Sequence, residues 1–149
     1  MLPAAERQYR YAHSAMSCVL RIGGKELDVD ALVENLTLPA YRVDRKGEPR
    51  RLRRRGVFDE STIHVDVSAA DFADLPTQVA DAISFLTANV DAVRTAVRFP
   101  GVRHATLDFT VESKDVAIDS SYLPPALLRC AGELGVGIEL SVYPQAKRG

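Results

Sequence analysis

The stretch from Asp74 to roughly Val97 constrains this chain more than any other. Val79, Ile83, Leu86, Val90, Val93 and Val97 recur at alternating steps of four and three residues. That spacing draws one apolar stripe down a helix of 3.6 residues per turn. Thr77, Asp81, Thr87, Asp91, Arg94 and Arg98 take the other face. Asp74 or Leu75 stands at the cap, and Pro76 falls in the first turn, where its missing N–H removes no bond. Pro100-Gly101 ends the helix. A one-sided helix of this length needs a sheet to lie on.

Candidate strands flank it. From Ser14, Met16, Cys18, Leu20 and Ile22 alternate with Ser17, Val19 and Arg21, which predicts a first strand closed by Gly23-Gly24. Asp28 caps a short helix to about Leu36, with Val29, Leu32, Val33 and Leu36 inward, and Leu38-Pro39 stops it. A basic loop passes into a strand near Leu52–Phe58, and Asp59-Glu60-Ser61 turns into residues 62–68. There Ile63, Val65 and Val67 point in, and His64, Asp66 and Ser68 point out. Beyond the long helix, Arg103–Glu112 alternates with Ala105, Leu107, Phe109 and Val111 inward. Ser113–Ser121 is a connection with room for a short extended piece at Val116–Ile118. Ser120 or Ser121 caps a third helix through Leu134, Gly135 provides a left-handed cap, and Gly137–Tyr143 is the last strand.

Each strand is apolar on one face only. The expected fold is therefore α+β: a mainly antiparallel open sheet of about five strands with three helices on one face. Its first six elements follow the split βαβ, ferredoxin-like order βαββαβ, extended by a helix and a strand. At 149 residues the chain reads as one domain over residues 14–144, between an arm (1–13) and a short tail (145–149). No apolar run approaches the ~20 residues a membrane helix needs, and residues 1–10 lack a signal-peptide core, so a cytoplasmic location is expected. Cys18 and Cys130 lie among apolar neighbours and read as buried free thiols.

Charge is unevenly spread. Arg42, Arg45, Lys46, Arg50, Arg51, Arg53, Arg54 and Arg55 face only Asp44 and Glu48 within residues 42–55, a local net of +6 that leaves the rest of the chain at −7.

The run Leu27-Asp28-Val29-Asp30, Leu36, Leu38-Pro39, Arg42 and Arg45-Lys46-Gly47-Glu48-Pro49 resembles the opening of a mainly bacterial family, domain of unknown function 4279. The ending, from Leu123 through Leu134-Gly135 to Ile138-Glu139-Leu140-Ser141-Val142-Tyr143, is similar to that family's closing helix and strand. The resemblance spans roughly residues 14–143 and implies a small bacterial α+β domain. It brings no activity, cofactor or catalytic residue.

Two surfaces could carry function. The arginine stretch could hold phosphate or another anion; the plainer alternative is that its arginines pair with the chain's own acids. The outward sheet face would gather Arg21, His64, Asp66, Thr106, Asp108, Glu112, Glu139, Ser141 and Tyr143, polar and net acidic with one anchoring tyrosine. Such a face suits a basic protein partner or a second copy. His13, His64 and His104 share the outward parity, but no spacing motif makes them a zinc site. There is no nucleophile elbow or dinucleotide loop. The favoured expectation is a non-catalytic bacterial binding protein, of the immunity or accessory type, acting through protein–protein contact with no metal or cofactor. Polyanion binding through residues 42–55 is the alternative, and a small hydrolase or metal enzyme at His64, Asp66 and Asp108 comes third.

Overall fold

The computed structural model describes residues 16–144. The arm, the tail, His13 and the first residues of the predicted strand lie outside them. The elements run β1 (Cys18–Gly24), α1 (Val29–Asn35), β2 (Ala40–Asp44), β3 (Ser61–Ser68), α2 (Leu75–Ala88), α3 (Val90–Val97), β4 (His104–Glu112), α4 (Pro125–Glu133) and β5 (Gly137–Tyr143). The five strands form one sheet in the order β2-β3-β1-β4-β5. Every pairing is antiparallel except β4 with β5, which is parallel. The first four strands have the ferredoxin-like arrangement, and β5 extends it along β4.

One side of the sheet makes the core. Cys18, Leu20, Ile22, Ile63, Val65, Leu107 and Phe109 are wholly buried there with Leu32, Ala82, Leu86, Val93 and Leu127 from the helices. The alternation written in each strand therefore becomes two faces, one roofed by helices and one not.

The local chemistry explains the element ends. Asp28 caps α1 by accepting from the Ala31 N–H at 3.1 Å, and Asp74 caps α2 by accepting from Thr77. Gly135 takes φ 74° beyond α4. The Val136 N–H then reaches back to the Ala131 carbonyl at 2.9 Å, which closes the helix with a Schellman turn.

Several expectations need correction. The long helix is two helices, broken at Asn89 (φ −123°, ψ 30°). Asn89 Nδ2 donates to the Phe85 carbonyl at 2.9 Å, so a side chain competes within the helical ladder and bends it. The buried line is also rotated from the predicted stripe. Val79, Leu86 and Val93 are buried as expected, but Ala82 and Ala96 replace Ile83, Val90 and Val97, which are only partly covered.

The strand expected near Leu52–Phe58 is absent: Arg53–Arg55 form a turn of 3-10 helix, and only Pro49 and Val57 make a bridge. The strand lies earlier, at β2, an edge whose outward Arg42 and Asp44 hide the apolar signal of Val43. The third helix starts at Pro125 rather than near Ser121, because Leu123 and Pro124 each precede a proline and Pro124 is extended. Residues 113–124 hold no strand.

Ser68 points in rather than out. The β1–β3 register skips a residue, so Cys18 faces Ser68 while Val19 faces Asp66. This bulge at Val67 turns the Ser68 hydroxyl to Asp81 of α2, at 2.6 Å. Cys18 is fully buried, but Cys130 is only half covered.

Candidate functional site

The register assembles the uncovered face row by row. Arg21 of β1 lies opposite His64 of β3 and Thr106 of β4. Val19 lies between Asp66 and Asp108, and Gly23 between Thr62 and His104. β2 sets Arg42 beside His64 and Asp44 beside Thr62. β5 sets Glu139 beside Asp108, Ser141 beside Thr110 and Tyr143 beside Glu112. The residues named for this face from sequence therefore do share it, and among the described residues no helix crosses it.

Opposite charges on this face are already joined. Arg21 binds Glu139 at 2.6 Å and Asp108 at 3.5 Å, and Asp108 also accepts from the Ser141 hydroxyl at 2.6 Å. Asp44 accepts from Arg42 Nε and from His64 Nε2, both at 2.9 Å. His104 Nε2 meets Glu60 at 2.6 Å. The segment between β2 and β3 folds over one end and encloses a polar bay of about 660 Å³ with Arg21, Arg42, His64 and His104. Between Thr62 and His104 the sheet is packed closely at Gly23, where a Cβ would stand 2.6 Å from the Thr62 hydroxyl.

The basic stretch divides in two. Arg45 pairs with Asp30 at 2.8 Å, and Lys46 reaches the Lys25 carbonyl at 3.3 Å. That bond holds the Asp30 carboxyl below, and the Arg45 guanidinium above, its ordinary range. Arg50 donates to the Val57 carbonyl and stacks over Phe58, 5.0 Å from the ring centroid. Arg51, Arg54 and Arg55 are exposed and make no ion pair among the described residues.

Asp66 and Asp108 do not sit side by side. Asp66 and Asp108 flank Val19 from two different strands, so two strand spacings, roughly 10 Å, separate them. Burial pushes the Asp66 carboxyl up, and a hydrogen bond from the Val67 N–H opposes this. Burial, with Asp108, Asp66 and Asp81 adding to it, holds the Cys18 thiol well above the usual thiol range, which leaves it a packing group. Among the described residues no three His, Cys, Asp or Glu side chains stand together as metal ligands.

His64 is less exposed than its parity suggested. Its side chain is 12% accessible, and the Tyr41 ring lies 6.1 Å away. Burial pushes its pKa below 6.5, against the opposing pull of Asp44. The sign follows: between 6.5 and the lower folded value, the unfolded chain binds more protons, so stability falls as pH drops through that window. Urea midpoints for wild type at about pH 7.5 and pH 5.5 should differ by more than those of His64→Asn. Equal losses in the two proteins would show that His64 is not the group being titrated.

Asp44 and Glu60, which pin the two histidines, were not singled out in the sequence. Asp44 counted as a loop acid and Glu60 as a turn residue. The parity Arg42, Asp44 was the available signal for the first; Glu60 had none.

The fold and face together define an open-faced α+β sandwich with an ion-paired, uncovered sheet surface. Set against protein-family models, curated proteins and solved structures, the chain matches none of them. No helix among the described residues is long and apolar enough to cross a membrane.

Proposed function

We propose that this is a non-catalytic binding protein whose uncovered sheet face docks a protein partner. The observation that carries the proposal is the joined set of polar groups on that face: Arg21 with Glu139 and Asp108, and Arg42 with Asp44, which His64 also meets. Side chains held in this way lose little freedom on docking, so a partner meets a pre-ordered surface. Asp66 and Glu112 add negative charge without a counter-ion among the described residues. Tyr143, 56% exposed, offers an anchoring ring at the edge strand. These features favour a basic partner and suit a small protein that blocks another, as an immunity-type protein does. The resemblance to domain of unknown function 4279 is part of the same proposal and rests on the residues quoted for it. A cytoplasmic setting fits the two free thiols.

The test is affinity capture from the native host with quantitative mass spectrometry. The wild-type chain should retain a partner near one-to-one, and the double variant Glu139→Lys/Tyr143→Ala should lose it. Arg98→Ala, on α3's far side, should keep it. No partner above the bead background, or equal capture by the face variant, would overturn the proposal.

A further inference from the structure

We infer that the segment between β2 and β3 is a second and separate binding element: an arginine-tipped hairpin loop that enters the major groove of double-stranded DNA and holds the phosphates of its walls. This does not rest on the sheet-face proposal.

The segment is an ordered hairpin loop. The Gly47 N–H donates to the Phe58 carbonyl at 2.9 Å, and the Phe58 N–H to Glu48 at 3.0 Å. The Arg50 N–H donates to Gly56 at 2.9 Å, and the Arg55 N–H closes the tip on Leu52 at 2.8 Å. The two legs of the segment, bridged at Pro49 and Val57, lie about 5 Å apart there, which is narrower than the major groove of B-DNA, about 12 Å wide.

The structure sorts the cations along this loop. Those at its base are engaged: Arg42 with Asp44, Arg45 with Asp30, and Arg50 with Phe58 and, at 3.9 Å, Asp59. Those at its tip, Arg51, Arg54 and Arg55, are exposed and carry no ion pair among the described residues. No acid occurs from Arg50 to Phe58. Like charges are thus gathered in one short stretch with no acid paired to them among the described residues, and guanidinium forks match phosphate oxygens.

Charge density selects the partner. The remainder of the chain is net −7 and repels any polyanion, so only a dense target can be held by three side chains. A duplex presents one charge per about 1.7 Å of axis. A single strand would want a stacking platform, and the loop's one aromatic ring, Phe58, is covered by Arg50. Phosphate contact alone predicts sequence-independent binding.

Fluorescence anisotropy with the full chain and a labelled DNA duplex of about 20 base pairs tests this. Three phosphate contacts give a log–log salt slope near −2.7, about a forty-fold loss of affinity from 50 to 200 mM salt. The variant Arg51→Ala/Arg54→Ala/Arg55→Ala should bind at least about tenfold more weakly with an unchanged melting curve. The charge-matched Arg94→Ala/Arg98→Ala/Arg129→Ala should bind as wild type. The inference is overturned by no binding at low salt up to ~100 µM protein, by full binding in the tip variant, or by tighter binding to phosphatidylserine vesicles than to the duplex. Duplex binding by the wild-type chain with no captured partner would leave this inference alone standing, and a captured partner with no duplex binding would leave the sheet-face proposal alone standing.

Discussion

Alanine at Gly101 is expected to remove about 3–5 kcal/mol of stability, a large part of the ~5–15 kcal/mol that holds a domain together. Two effects add. Gly101 has φ 89°, and a side chain in left-handed backbone costs roughly 1–2 kcal/mol. A Cβ there would also stand 2.6 Å from the Glu26 carbonyl oxygen and 2.7 Å from Leu27 Cα, both backbone atoms that cannot swing aside. The crowding is mutual, since a Cβ on Gly24 would collide with the Gly101 carbonyl oxygen. The turn out of β1 and the turn into β4 therefore touch backbone to backbone, and the Arg103 N–H donating to the Gly23 carbonyl at 2.9 Å fastens them. Gly47 isolates the first effect: its φ is 84°, but a Cβ meets nothing within 4 Å. In urea denaturation, Gly47→Ala should lose only the left-handed penalty and Gly101→Ala clearly more. Equal losses would mean that the two turns are not in tight contact.

These glycines mark how far the chain could be read without coordinates. Gly23-Gly24 and Pro100-Gly101 both announced turns, because glycine and proline punctuate locally. That the turns would press on each other is a long-range fact with no local sign. The inward residues of β1, β3 and β4 were legible for the opposite reason: alternation over seven to nine residues is local, and each of these strands packs on one side. β2 was missed because an edge strand tolerates charge, and its Arg42 and Asp44 looked like more of the basic loop. Gln78 was missed as well. It is wholly buried at the start of α2, and its amide donates to the Asp71 and Thr110 carbonyls at 3.1 and 2.9 Å. A polar residue beside an apolar stripe gives no hint that two backbone oxygens await it. On the candidate face, parity alone identified Arg21, His64, Asp108, Glu139 and Tyr143. What it could not give was strand order, and strand order decides that Arg21 reaches Glu139 across β4.

Strand β4 offers the second large effect and a control one residue away. Phe109 is wholly buried on the helix side, among the largest side chains of the core. Phe109→Ala removes its apolar contacts and leaves a cavity the sheet and helices cannot close, an expected loss of about 3–5 kcal/mol. Asp108 points the other way. Asp108→Asn keeps the shape and the Ser141 contact, and Arg21 retains Glu139 at 2.6 Å. The change should stay within about 1 kcal/mol, the usual worth of a pair that water still reaches. Urea midpoints of the two variants, measured side by side, then test the two-faced sheet itself. A large loss at Asp108 would mean that its face is covered and contributes to the core, and the docking surface would vanish with it. A large loss at Phe109 alone places all the packing on the helix side and leaves Asp108, Glu139 and Tyr143 available to a partner.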